Sequence, residues 1–334
     1  MVVRVEILCA VLAAAMFGAG HYMSGTASRR QGPVAVAYWT QFGVVAVALT
    51  LLLARPVEGW DPAALLWGGG AALGGVVGSL CLYAALSRAT FTLAVGASTV
   101  TTTVTPALVA MALLGEQVTS LRLALVGLSM LTVWLLVSQK RQEGVAVVTS
   151  PLPVVTGSTP VVHEQDAGAS DSAPGSSLSQ EKSGSSLGAA LLPLAAGLGY
   201  AVELVSVAQI PRESFTQGLS AWAVVSLVVM LLVFLLRRDG TGAARLPRLV
   251  PRGGAGALVV LAGGFSAAGM MLFHLSAAGI GLATTSAVVA VYPAVPILLA
   301  VLILRERPSP RGWAGLLCAS VVVGLGALST VLQG

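Results

Sequence analysis

Apolar residues do not alternate along this chain; they run. Ten mostly apolar stretches lie at about 5–27, 34–54, 63–87, 91–114, 121–138, 187–208, 218–236, 254–278, 281–304 and 312–330. Each is close to the roughly 20 residues that cross a bilayer as a helix. A β-barrel needs a two-residue alternation that these stretches lack. In lipid a backbone has to satisfy its own polar groups, so runs of this kind predict helices. The expected fold class is an all-α integral membrane protein with ten transmembrane helices.

One segment breaks the rhythm. Residues 139–186 hold "SPLPVVTGSTP" and "GASDSAPGSSLSQEKSGSS", rich in Ser, Gly, Pro and Thr. Such a composition cannot bury a core, so a disordered linker is expected there. It divides the chain into five spans at 1–138 and five at 187–334.

The two halves keep a common spacing. An offset of 190 carries Gly74 to Gly264, Tyr83 to Phe273, Pro106 to Pro296 and Glu116 to Glu306. Five spans per half is an odd number, so the halves enter the membrane from opposite sides. The expectation is two inverted five-helix repeats, a construction that places a substrate site at the repeat interface near the midplane.

Composition agrees with the pattern. Hydrophobic residues make up 56% of the 334, charged residues only 9%, and mean hydropathy is +0.90. Soluble domains carry about a quarter charged residues. The net charge of +5 comes from arginines in short gaps between apolar runs, which predicts a lipid bilayer as partner and no nucleic acid. Fourteen of the 18 Lys and Arg fall on one side of the ten spans and four on the other. The positive-inside rule then puts both termini outside the cytoplasm. Cys9, Cys81 and Cys318 sit inside apolar runs with no metal or disulfide spacing. No metal or cofactor is expected. No Gly-x-x-x-x-Gly-Lys-Ser/Thr loop is present, which argues against ATP drive by this chain. Scattered histidines and one acid deep within a span argue against an enzyme.

Candidate chemistry lies in the exceptions to the apolar runs. Ionisable residues inside spans are functional candidates, and three stand out: Glu203, His21 and His274. Glu203 lies about six residues before the end of its span, ~9 Å of helix rise. It either pairs with Arg212 near the interface or carries a proton or a substrate amine. His21 and His274 each have a packing and a substrate-contact reading. Ser98, Thr102 and Thr105 share one helix face, and the offset matches Thr102 to Tyr292. They form the expected cavity wall, with Trp39 and Gln41 of the second span closing it. Trp222 ranks lower, as an interfacial anchor.

Pro106 and Pro296 each stand ten residues before a glutamate, Glu116 and Glu306. The prolines loosen a turn. Each glutamate sits beside the start of the next helix, where a carboxylate meets the positive dipole end. Thr119 and Ser309 are the expected N-caps, the latter followed by Pro310. The glutamates either fasten a helical hairpin or gate access by changing partners.

"TPALVAMALLGEQVT" with Gly127, "YPAVPILLAVLILRERPS" with Gly315, "FGAG" in the first span and the five-plus-five layout resemble the EamA domain of the drug/metabolite transporter superfamily. The resemblance covers nearly the whole chain outside the linker. It implies ten helices around a central cavity and alternating access. It also implies small organic solutes such as amino acids or metabolites, with export among the directions, and cytoplasmic termini, opposite to the charge bias. Members often carry a basic residue in the second span; here "AYWTQFG" offers Tyr38, Trp39, Thr40 and Gln41. The expected function is a secondary transporter in the cell membrane, monomeric or homodimeric, with protons as the candidate coupling ion. The alternative is a non-transporting scaffold or sensor derived from the same fold.

Overall fold

The computed structural model describes residues 2–54, 57, 59–88, 91–137, 186–236, 253–295, 298 and 309–333. The expected linker at 139–186, apart from Ser186, which opens a helix, lies outside the described residues, as do Pro296 and Glu306. Those described form helices and their connections, with no strand among them. The helices are α1 (Val2–Gln31), α2 (Pro33–Ala54), α3 (Pro62–Arg88), α4 (Phe91–Ala112), α5 (Ser120–Val137), α6 (Ser186–Ala208), α7 (Phe215–Leu236), α8 (Gly253–Ile280), α9 (Leu282–Val289) and α10 (Pro310–Gln333).

Among the described residues, seven stretches are long and apolar enough to cross a bilayer: Val5–Ser28, Pro33–Ala54, Pro62–Ala85, Leu191–Ala208, Arg212–Leu236, Gly253–Ile280 and Pro310–Leu328. Ser120–Leu136 is apolar but shorter. The outer faces carry exposed Leu and Val, among them Leu53, Leu66, Val77, Val202, Val224 and Leu236. The interior gathers small and polar side chains such as Ala10, Ala71, Ser129, Thr285 and Glu203. An apolar outer face over an interior that also holds polar side chains fits a hydrocarbon solvent. The chain is a multi-pass α-helical membrane protein.

Helix boundaries follow from local chemistry. Gly32, at φ 82°, ends α1, and Pro33 opens α2 with its preset φ. Asp61 Oδ1 accepts the Ala63 N–H at 2.9 Å, with Pro62 opening α3. Thr119 Oγ1 accepts the Arg122 N–H at 3.2 Å, and Ser309 Oγ accepts the Gly312 N–H at 3.1 Å. These two are the N-caps expected for α5 and α10. Pro106 does not interrupt α4, which runs on to Ala112 and ends at Gly115 with φ 71°.

The ninth apolar run departs from the single span expected at 281–304. Its helix stops after Val289, and residues 290–293 form a turn. Pro293 and Pro296 both lack an N–H, so the Val289 and Tyr292 carbonyls lose their usual partners four residues on. Shorter bonds replace them: the Tyr292 N–H donates to Val289 O at 3.0 Å and the Val295 N–H to Tyr292 O at 3.1 Å. Tightened turns of this kind re-satisfy a broken helix where it lines a cavity.

Packing joins the halves rather than separating them. α1 lies along α8, α2 along α7 and α8, α3 along α7, α4 along α9, and α5 along α10. α3 also meets α6 through glycines. A Cβ on Gly74 would stand 2.7 Å from Gly199 O, and one on Gly199 would stand 2.5 Å from Gly78 N. Glycine's missing Cβ is what lets these backbones approach. The expected stripe of Gly70, Gly74 and Gly78 therefore packs closely, against Ser206, Gly199 and Tyr200.

Candidate solute cavity

A cavity opens at the centre of the described helices. Its empty space, open mouth included, is about 890 Å³. α1, α2, α3, α4, α6, α7, α8 and the α9 region all contribute lining residues.

Glu203 of α6 is the acidic residue of the wall. It is buried, and the Trp222 indole N–H of α7 hydrogen-bonds its carboxylate. Gly75 of α3 lies beneath it: a Cβ there would stand 2.5 Å from Oε1 and 2.8 Å from Cδ. No Lys or Arg is among the described lining residues. Arg212, the expected interfacial partner, is not in the wall, so the carboxylate faces the cavity instead.

An aromatic group surrounds the acid. His21 of α1 stands between Tyr200 of α6 and Tyr292, with ring centroids 5.5 and 5.2 Å away. Tyr83 of α3 is held by a hydrogen bond to buried Ser24 of α1. Tyr292, in the α9 break, shares a 2.7 Å hydrogen bond with Thr99 Oγ1 of α4 and also bonds the Ser98 side chain. The break thus aims a phenol at α4, and two α4 hydroxyls fix it.

Polar atoms are left over on this wall. Gln41 Nε2 donates to Ala37 O at 3.0 Å, which turns Oε1 away from that carbonyl. Gln41 Oε1, His21 Nδ1 and Ser286 Oγ are buried and have no hydrogen-bond partner among the described residues. Buried polar atoms are usually paired, so unpaired ones in a cavity wall mark places for a ligand or water.

The structure brings five of the sequence-predicted residues together: Glu203, His21, Gln41, Thr102 and Tyr292 all line the cavity. Thr102 Oγ1 donates to Ser98 O at 2.8 Å and lies 3.3 Å from Gly197 O of α6, so its hydroxyl is spent on helix packing. Four others stand elsewhere. Ser98 supports Tyr292 from behind the wall. Thr105 is half-buried on α4 and does not line the cavity. Trp39 is buried among the helices, next to Tyr38, which stacks on Phe234 of α7 at 4.7 Å. His274 stacks on Phe215 at 4.3 Å and donates from Nδ1 to Val207 O at 3.0 Å, which draws it to the junction of α6 and α7.

Trp222 corrects its expected place as an interfacial anchor. It is buried because its N–H has a carboxylate to reach inside. Tyr200 and Ser286 were not anticipated. Tyr200 stands three residues before Glu203, on the same helix face, and that spacing is a usable signal. Ser286 had none.

Glu116 has an unexpected partner. Its Oε1 accepts the Leu282 N–H at 2.6 Å and its Oε2 the Ala283 N–H at 3.3 Å. The carboxylate caps α9, a helix of the other half. Arg122, on the following helix, stands 3.7 Å from Oε2 and donates to Gln117 O at 2.7 Å. Of the two earlier readings, fastening fits, but what is fastened is half to half. Pro106 is buried within α4.

No family model matches the chain, and no curated protein matches it. Among solved structures, one described as "Crystal structure of protein" superimposes with a TM-score of 0.61 at 18% identity, covering 97% of this chain and 96% of that one. The likeness extends over nearly the full length of both chains and concerns the fold.

Proposed function

We propose that this chain is a secondary transporter of small organic solutes, of the EamA type, with ten spans arranged as two inverted five-helix repeats. The observation that carries the reading is the central cavity, walled by both halves, which holds a buried carboxylate and unpaired polar atoms beside a broken helix. Discontinuous helices at a midplane site are the recurring device of inverted-repeat transporters.

The packing supports the repeat. Exchanging each helix with the one five places away carries the most extensive contacts between the halves onto one another. α1 on α8 becomes α6 on α3, and α2 on α8 becomes α7 on α3. The pairs α2–α7, α4–α9 and α5–α10 map onto themselves. A twofold relation between halves has this property. Glycines serve both exchanged contacts: Gly43 against Gly264 and Val260, and Gly68 against Gly218. Smooth contacts of this kind let one bundle rock on the other. Glu203 is the carrier if protons drive the cycle, and the membrane is the cell membrane.

The test is uptake of a labelled amino-acid pool into proteoliposomes with and without an imposed pH gradient. Gradient-driven uptake by the wild type, lost in Glu203→Gln, is the expected result. Uptake indifferent to gradient and mutation makes the protein a facilitator or exchanger. Absence of flux across several metabolite classes overturns the transporter in favour of a scaffold.

A further inference from the structure

The cavity is chemically one-sided. Its acidic group is Glu203, and no Lys or Arg is among the described residues of its wall. A solute bearing a carboxylate or phosphate would meet a like charge with no cation to answer it, and like charges in a desolvated site repel strongly. A cation would meet the opposite case.

The neutral groups narrow the class further. Gln41 Oε1 is an acceptor whose amide nitrogen is already engaged with Ala37 O. His21 Nδ1 and Ser286 Oγ can accept as well, and both are buried without a partner among the described residues. An ammonium group has three N–H donors and no acceptor. It satisfies such atoms, whereas a quaternary ammonium has no N–H and leaves them unpaired. Tyr200, Tyr292 and Trp222 line the same space, and aromatic rings attract cations and cover apolar carbon.

We propose that the ligand of this cavity is a small arylalkyl primary amine in its cationic form, without a carboxylate. Its ammonium is held by Glu203 and the free acceptors of the wall, and its ring lies among the tyrosines. The assignment deepens the transporter reading and rests on the cavity being the transport site.

Three probes on one skeleton test it: tyramine, N,N,N-trimethyltyramine and tyrosine, titrated calorimetrically into the purified full chain in detergent. Tyramine is expected to bind. The trimethylated cation, lacking donors, and tyrosine, carrying a carboxylate, should each bind weaker by about tenfold or more, the usual worth of a charge-assisted hydrogen bond or of an unpaired buried charge. Glu203→Gln should lower tyramine affinity by a similar factor. Wild-type selectivity decides the matter even if that variant does not fold. Equal binding of tyrosine or of the trimethylated cation overturns the proposal, as does no tyramine binding at millimolar concentration. Proteoliposome exchange separates the two readings. Tyramine binding without tyramine exchange upholds the ligand class and breaks the transporter. Exchange of amino acids without tyramine binding breaks the ligand class and leaves the transporter standing.

Discussion

α4 and α9 begin 190 or so residues apart and pack on each other, yet they treat proline differently. α4 keeps 22 residues of helix with Pro106 inside it. α9 has eight residues of helix and then turns through Tyr292. Pro106 removes one donor, and one orphaned carbonyl leaves the helix intact. Pro293 and Pro296 remove two donors within a single turn, and shorter bonds from Tyr292 and Val295 have to replace them. At the position of Pro293 the first half has Thr103, which keeps its N–H. The difference teaches that the halves share spacing but not helix continuity. α4 is the fixed wall that holds Tyr292 through Thr99, and the α9 region is the bent one.

The harshest way to break this comparison is Gly18→Val. A Cβ on Gly18 of α1 would stand 2.7 Å from Tyr292 O and from Val295 Cβ, against backbone that cannot step aside. Overpacking of this kind costs about 1–3 kcal/mol or more. Size-exclusion profile and thermal unfolding should show loss of the folded species. Gly127→Val, with open space around its Cβ, should show none.

Pro293→Ala restores a donor and should carry α9 helically past Tyr292. Flux is expected to fall several-fold, since the phenol leaves Thr99, while thermal stability holds. Pro106→Ala should change neither. Equal loss of flux in both variants would erase the distinction between the two helices.

Glu116→Ala removes the cap of α9 and should cost about 1–2 kcal/mol, the usual worth of an N-cap, read by thermal unfolding. Two inverted repeats require a comparable loss for Glu306→Ala. A silent Glu306 would make the cap a property of α9 alone.

The smallest effects concern the supports of α9 and of its cap. Ser129 Oγ of α5 lies 2.8 Å from Ala287 O as well as 2.7 Å from Leu125 O, so Ser129→Ala should cost about 1 kcal/mol. Arg122→Ala should cost less, about 0.5 kcal/mol, because its contact with Glu116 is long, at 3.7 Å. Both are checked by the same unfolding measurement.

Much of the architecture was legible in the pattern alone. Runs near 20 apolar residues locate most of the helices, and hydroxyl or proline residues mark their starts. Glu203 was legible because a charge in an apolar run has to be accounted for. His274 and Trp39 were not separable from His21 and Gln41, because helical periodicity gives a face but not what the face meets. Trp222 misled because position along a span resembles depth until a carboxylate partner is seen. The turn at residues 290–293 was not legible from Pro296 alone because Pro293 removes a second donor one turn earlier. That outcome depends on which nearby N–H can reach back, not on either proline alone.

Glu116 joins Leu282 across 166 residues of chain. A ribosome adding roughly 5–20 residues per second makes the carboxylate about ten to thirty seconds before the amide it serves. The first five helices therefore wait in the bilayer with an acid at their edge and no α9 to receive it. When α9 emerges, its first turn finds a template already in place. Biosynthetic order becomes an instruction: the early half tells the late half where its ninth helix begins.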